Sequence, residues 1–277
     1  MNTVRLAALQ MTSGDDVAAN LEAARRLLHE AARAGARLAV LPENFAFMSA
    51  DEGARAGIAE ADGEGPIQDF LAATARACGL WLVGGTIPIR SAESGRSFAA
   101  CIVWDEQGRR VGRYDKMHLF DVQVPGSTEA YRESTRTMPG DGLLALETPF
   151  GVLGVAVCYD LRFPELFRGL QARGASILAL PAAFTRRTGE AHWHVLLKAR
   201  AIENLAYVVA AAQGGEHPGG RRTYGHSLVI GPWGEVLAEA GSTPGVVSAA
   251  LDQAYLQRLR TDFPVLDHRR LQAAPAP

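Results

Sequence analysis

The chain has 277 residues, 48% of them hydrophobic and 21% charged, a composition that supports a large buried core and excludes a mainly disordered chain. Its 28 basic and 30 acidic residues leave a net charge of −2 with no long run of one sign, which argues against a dedicated nucleic-acid binder. No stretch approaches the roughly 18 apolar residues of a membrane span, and the opening MNTVRLAALQMTSGDD lacks the apolar centre of a secretion signal, so a cytoplasmic chain with no membrane partner is expected.

Strand and helix patterns alternate from end to end. VRLAALQM at 4–11 reads as a strand, Val17, Leu21, Ala24, Leu28 and Ala31 recur at helical spacing, and RLAVLPE at 37–43 is a buried strand. Pro66 opens a second helix with Ile67, Phe70, Leu71 and Cys78 on its apolar face, and a strand starts at Leu80. Two hairpins follow, one turning at Glu106, Gln107 and Gly108, the other at Thr148 to Gly151. A helix from about Pro164, the strand ASILALPAAF, a helix over about 190–204, the strand AYVVAAAQGG and the hairpin SLVIGPWGEVLAE complete an α/β chain with mixed pairing.

The chain repeats itself weakly. GARLAVLPENF at 35–45 aligns without gaps onto GASILALPAAF at 174–184, and CIVWDEQGRRV around Gly108 echoes SLVIGPWGEVL around Gly234. Two similar halves without a linker predict two sheets packed face to face with helices outside, a four-layer α-β-β-α sandwich forming one domain over 1–271, with a disordered tail at 272–277.

The repeat also isolates a residue. Where the first half has Glu43, the second has Ala182 in the same LP-x-x-F frame, so the turn itself does not demand a carboxylate. A strand-end acid facing water is the ordinary alternative. Lys116 ends a hairpin strand, where a surface lysine is the default. Cys78, Cys101 and Cys158 have no close pair, so neither a disulfide framework nor a zinc knuckle is expected, and a free cysteine is most often a small buried hydrophobe. Cys158 differs in closing an apolar strand at a strand-to-helix turn, where a nucleophile can be held beside backbone N–H groups.

The phrases LPENF, DKMHLFDV, VAVCYDLRFPE, AHWHVLLKARAIEN and YGHSLVIGPWG resemble the carbon-nitrogen hydrolases of the nitrilase superfamily, in particular its Nit branch of amidases, from residue 4 to about 270. The resemblance implies the αββα sandwich, a Glu-Lys-Cys triad of Glu43, Lys116 and Cys158, a second glutamate at Glu133, and no cofactor or metal. It implies that Glu43 moves protons, that Lys116 and the backbone N–H of Tyr159 hold the oxyanion, and that Glu133 fixes Lys116. A lysine ammonium about 4 Å from the thiol would favour thiolate by up to about 4 kcal/mol at an effective dielectric near 20, less what desolvation subtracts.

Arg162 stands beside the nucleophile, suited to a substrate carboxylate or to a structural ion pair. Phe184 and Thr185 are expected on the same rim, and segments 121–136 and 214–220 as walls of the pocket. Within the branch, AHW, KARAIEN, VVAAAQ and YGHS are more similar to the amidases of deaminated glutathione, expected to release ammonia through a thioester, than to ω-amidases of small α-keto acid amides. A small-molecule amide substrate and a homo-oligomer, dimer or larger, are implied. One residue departs from the branch: an acid usually follows His-Trp, and here it is His194, which puts the electrostatics of the pocket in question.

Two other readings compete. A metal-dependent hydrolase could use His192 and His194 with His118, Asp121 or His226, but imidazoles at i, i+2 on a helix diverge. A non-catalytic scaffold would have no need of Glu43, Lys116 and Cys158 together.

Overall fold

The computed structural model describes residues 4–93, 95–126 and 128–271, and the expected tail at 272–277 lies outside the described residues. The first part of the chain runs β1 (Val4–Gln10), α1 (Val17–Arg33), β2 (Ala36–Val40), α2 (Pro66–Cys78), β3 (Trp81–Val83), β4 (Ile87–Arg90), β5 (Ser97–Trp104) and β6 (Arg110–Asp115). A small ribbon, β7 (Asp121–Gln123) with β8 (Ala130–Arg132), and the short β9 (Thr137–Met138) lead out of it. The second part runs β10 (Leu144–Thr148), β11 (Gly151–Val155), α3 (Pro164–Ala172), β12 (Ile177–Ala182), α4 (Arg186–Asn204) and β13 (Tyr207–Ala212). It continues through a ribbon of β14 (Gly214–Glu216) and β15 (Arg222–Tyr224) to β16 (Leu228–Ile230), β17 (Val236–Glu239), β18 (Gly245–Leu251) and α5 (Gln253–Asp262).

Local chemistry sets the helix ends. The Asp16 carboxylate accepts from the Ala19 N–H at 3.0 Å at the start of α1, and Asp252 does the same for Tyr255 at 2.8 Å in α5. Pro66 occupies the first turn of α2, and Gly79, in the left-handed region at φ +62°, closes it. Helix α4 starts at Arg186 rather than near 190 because the Thr185 hydroxyl, accepting from the Thr188 N–H at 3.4 Å, caps it earlier than the apolar pattern suggests.

Among the described residues the strands form an eight-stranded and a six-stranded sheet plus the two ribbons. In the first sheet β1, β2 and β3 run parallel through α1 and α2, β5 continues antiparallel to β3, and β18 flanks β1 antiparallel from Val4 opposite Leu251 to Gln10 opposite Gly245. In the second, β11, β12 and β13 run parallel through α3 and α4, β16 continues antiparallel to β13, and β10 flanks β11 antiparallel. The weak sequence repeat is therefore a repeat of topology, with the LP-x-x-F frame at the C-terminal end of the central parallel strand of each half.

Alternation along the strands assigns the layers. Leu6 and Ala8 of β1, with Leu38 and Val40 of β2, join the apolar cluster that holds Leu153 and Val155 of β11 and, beside them on the same face, Ile177 and Ala179 of β12. Ala7, Leu9, Ala39 and Leu41 face the other way, onto Ala24 and Leu28 of α1 and Ile67, Phe70 and Leu71 of α2. Helices thus cover the outer face of each sheet, giving the four-layer α-β-β-α sandwich. No helix among the described residues is long and apolar enough to cross a membrane.

Candidate active site

Three chain segments bring their chemistry to one end of the paired sheets. Glu43 follows β2, where the buried Gln213 side chain donates to the Glu43 carbonyl at 3.1 Å and to the Ser13 hydroxyl at 2.8 Å. Asn44 turns the chain at φ +56°, and its N–H is held by the Thr86 hydroxyl at 2.9 Å. Lys116 follows β6. Cys158 opens a short 3₁₀ turn, Cys158–Arg162, between β11 and α3, and it adopts φ +48°, a left-handed conformation that costs a non-glycine residue and holds the thiol at the head of the turn.

Asp160 over-determines that turn. Completely buried, it accepts from the Val157 N–H at 2.8 Å and the Tyr114 hydroxyl at 2.7 Å through one oxygen. Its other oxygen accepts from the His118 N–H at 3.1 Å and lies 2.7 Å from His118 Nδ1. The two residues flanking Lys116 by two positions are thus tied to the turn that carries Cys158. Apart from Val157, the partners of Asp160 and Gln213 lie far away in the chain, so the local sequence does not mark either residue for tying these segments together.

Lys116, Glu43 and Cys158 are 2%, 4% and 7% exposed. Lys116 Nζ donates to Glu43 Oε1 at 2.8 Å and to both oxygens of Glu133 at 2.8 and 3.1 Å, while Glu133 also accepts from the Phe120 N–H at 2.7 Å. Burial works against the Lys116 ammonium, but the charges of Glu133 and Glu43 outweigh it and raise its pKa well above the ordinary lysine value. Burial likewise works against the Glu43 carboxylate, and Lys116 together with a hydrogen bond from Cys158 outweighs it, leaving Glu43 below the usual carboxylate range.

The thiol goes the other way. Desolvation, then the Glu43 charge, push Cys158 well above the ordinary thiol value, against the pull of Lys116 and the Ala183 backbone amide. The single ammonium already faces two carboxylates, so a thiolate would be a third negative group around one cation. The resting site is therefore a neutral thiol beside an ionised carboxylate, not the thiolate that a lone lysine would favour. Cys101 is buried among apolar side chains, and Cys78 lies near the surface with His29 Nδ1 3.5 Å from its sulfur.

A cavity of about 120 Å³ opens above these groups. Glu43, Lys116, Glu133, Cys158, Tyr159, Arg162, Phe184 and Thr185 all line it, so the residues expected for catalysis and substrate binding reach one place. Two are already engaged. Arg162 Nη1 donates to His192 Nδ1 at 3.1 Å, with the guanidinium over the Tyr159 and Phe184 rings, and the Thr185 hydroxyl caps α4. The sequence reading missed Thr188, Arg55 and Arg221, which also line the cavity, and it expected Arg132 and Arg136 only as part of the wall segment 121–136. The segment 121–136 forms a wall through Tyr131, Arg132, Glu133 and Arg136, whereas no residue of 214–220 lines the cavity, which that side meets through the adjoining Arg221; each segment is built on a two-stranded ribbon rather than an open loop.

His194 lies outside the cavity lining and pairs instead with Glu239 and His226, so its departure from the branch bears on another surface, not on the pocket. His192 and His194 diverge as their spacing requires, toward Arg162 and Glu239 respectively.

Residues 5–261 match the carbon-nitrogen hydrolase family. The chain is 38% identical to a deaminated glutathione amidase from Yersinia enterocolitica, across 100% of this chain and 96% of that protein. It is 36% identical to omega-amidase NIT2 from Xenopus tropicalis, across 98% and 96%. The crystal structure of Saccharomyces cerevisiae Nit3, a member of branch 10 of the nitrilase superfamily, superposes with a TM-score of 0.86 at 30% identity and covers 97% of each chain. With the same sandwich, and with a family match spanning all three segments that build the cavity floor, the chain belongs to the carbon-nitrogen hydrolases of the nitrilase superfamily.

Proposed function

We propose that this single-domain chain is a cysteine-dependent amidase that cleaves the oxoglutaryl amide of deaminated glutathione, with Cys158 as nucleophile. The observation that carries the reading is the buried Glu43–Lys116–Glu133 cluster against a neutral Cys158 thiol, at the base of a cavity walled by Arg55, Arg132, Arg136, Arg162 and Arg221. Those five cations outnumber the cavity's three carboxylates, Glu43, Asp51 and Glu133, and suit an acyl group that carries its own carboxylate.

The Cys158 sulfur attacks the amide carbonyl as Glu43 takes the thiol proton. Lys116 and the Tyr159 N–H stabilise the oxyanion, which develops where the ammonium is already fixed by Glu133. Collapse breaks the C–N bond, and protonated Glu43 gives its proton to the departing nitrogen. Water, deprotonated by Glu43, then attacks the thioester and releases the carboxylic acid and the thiol. No step needs a cofactor. The bonds of the substrate decide the leaving group: the amides of deaminated glutathione are secondary, so cleavage at the oxoglutaryl carbonyl frees a peptide amine with 2-oxoglutarate. The ammonia expected from the sequence is the product only of primary amides.

The second reading is an ω-amidase acting on α-ketoglutaramate, favoured by the likeness to the Xenopus protein. The test is kcat/KM for deaminated glutathione, α-ketoglutaramate and a neutral aliphatic amide, in the wild type and in Arg162→Ala. Loss of a partly buried arginine–carboxylate contact costs roughly 2 to 5 kcal/mol, so about a 30-fold or greater loss on the two carboxylate-bearing amides and little on the neutral one is expected. Equal losses on all three would make Arg162 structural. A wild-type preference for α-ketoglutaramate would select the ω-amidase reading, and a Cys158→Ala variant that still turns over would remove both.

The reading includes a homo-oligomer. Val195 and Ile202, seven residues apart on one face of α4, are exposed, as are Trp233 and Phe263, whose rings meet at 5.3 Å, and Ile202 packs near Gly234, next in the chain to Trp233. Light scattering on the purified chain, and on Ile202→Glu with Trp233→Glu, should show an oligomer that the paired substitutions dissociate.

A further inference from the structure

The histidine that departs from its branch lies on the face of α4 turned away from the cavity. Among the described residues, His194, His226 and Glu239 form a group whose ligand atoms all lie within 4.8 Å of one another. His194 Nε2 and His226 Nδ1 stand 2.8 and 2.7 Å from the same oxygen, Glu239 Oε1. Each side chain comes from a different element: α4, the turn before β16, and the end of β17.

The rings are held in place from behind. The Tyr224 ring stacks on His226 with centroids 4.3 Å apart and meets the edge of His194 at 6.0 Å. The Trp193 indole donates to the His226 carbonyl at 2.8 Å, at a residue that sits at φ +55°. All three side chains are about one-third exposed, and His226 opens onto a surface hollow shared with Glu190 and Arg186. A hydrated ion can therefore arrive without local unfolding.

We propose that His194, His226 and Glu239 form a binding site for a divalent transition-metal ion of the zinc class, clamping α4 to the β16–β17 hairpin. Two imidazoles and one carboxylate are a donor set that zinc takes in tetrahedral geometry, with water in the fourth position. Around such an ion ligand atoms lie about 3.3 Å apart, so the two nitrogen–oxygen separations of 2.8 and 2.7 Å need open only slightly, by side-chain rotation. The ion replaces the protons that now join each ring to Glu239. The clamp stands one layer behind the cavity, because Trp193 packs on Phe184 at 4.9 Å between ring centroids. It is a binding and stabilising site, separate from the cysteine chemistry.

The experiment uses the full chain after stripping with a chelator. Equilibrium dialysis against Zn²⁺ should give one ion per chain. Losing a ligand costs at least what losing a hydrogen-bond partner behind one costs, about tenfold, so His194→Ala and Glu239→Gln should each weaken binding by about that factor or more. Thermal melts of the same samples should show a rise of about 2 °C or more at a hundredfold excess of Zn²⁺ over the wild-type Kd in the wild type, and at most about half that rise in the variants at the same Zn²⁺ concentration. Co²⁺ substitution separates this site from the cysteines, since nitrogen and oxygen ligation leaves no thiolate-to-metal charge-transfer band. Absence of Zn²⁺ binding, binding untouched by both substitutions, or a thiolate band from the bound Co²⁺ would each overturn the proposal.

Discussion

At the scale of single residues, the site is governed by how charges are shared. Lys116 serves two carboxylates at once, so its field is spent on holding Glu43 and Glu133 ionised, and the thiol of Cys158 stays protonated. A thiol that hands its proton to an adjacent carboxylate only as it attacks should react at a rate nearly independent of pH. Alkylation of Cys158 by iodoacetamide is expected to change by less than about threefold between about pH 6 and 8, where an ordinary thiol gains about tenfold per unit. Peptide mapping at each pH checks this, and a steep rise would show that Glu43 is not the proton acceptor. Asp160 is the other residue on which the site depends. Asp160→Asn turns an NH₂ group toward N–H or O–H donors that now share the carboxylate, so a loss of about 3 kcal/mol in urea unfolding and a fall in kcat are expected together.

At the scale of elements, the strand ends do the positioning, and their turns tolerate little. Gly85, just past β3, lies at φ +62°, and a Cβ there would run into the Pro42 carbonyl, with Phe45 at 3.0 Å. Pro42 directly precedes Glu43, so any shift that relieves the clash moves the carboxylate. Gly85→Ala is expected to cost about 2 kcal/mol or more of stability and to lower kcat. Gly57→Ala, where an added Cβ meets nothing within 4 Å, serves as the control and should leave both unchanged. A Gly85→Ala variant with wild-type kcat would show that the turn is not what places Glu43.

At the scale of the molecule, a polar seam joins the two halves where β1 and β13 end. Gln10 accepts from the Ser227 N–H at 2.8 Å and donates to the Gly241 and Thr243 carbonyls, and Gly214 N–H donates to the Met11 carbonyl at 2.8 Å. His217 belongs to the same seam: Nδ1 donates to the Ser13 carbonyl at 2.8 Å, and Nε2 meets the Thr223 hydroxyl at 2.7 Å. Burial, with the nearby Arg221 charge, holds its pKa below the ordinary 6.5 despite the bond to Ser13. The unfolded chain therefore takes up this proton first as pH falls, so stability is complete above about pH 6.5 and declines below it. His217→Asn, which keeps a donor for Ser13, should be less stable at pH 7.5 yet lose less on going to pH 5.5. Urea unfolding at the two pH values measures the difference, and an unchanged loss would assign the pH dependence elsewhere.

Local sequence pattern was enough to place most of the strands and helices of the two sheets and to mark the residues that are candidates for chemistry, while β18, α5 and the two ribbons were not read from it. Alternation in β1 and β2, the caps at Asp16 and Pro66, and the contrast between Glu43 and Ala182 are all short-range features, set by neighbours within a turn or a strand. The motifs around Glu43, Lys116 and Cys158 were legible for the same reason, each being local. Which side chains become partners was set by the packing of the folded chain. Asp160 finds Tyr114 and His118, Gln213 finds Ser13 and Glu43, Arg162 takes His192, and His194 turns to Glu239 instead of the pocket. Hydrogen bonds and charges act over a few ångströms, and which side chains come within that distance depends on how two sheets pack face to face, a relation that no local pattern encodes. The protonation of Cys158 followed from that packing as well, because its sign rests on how many carboxylates surround one buried ammonium.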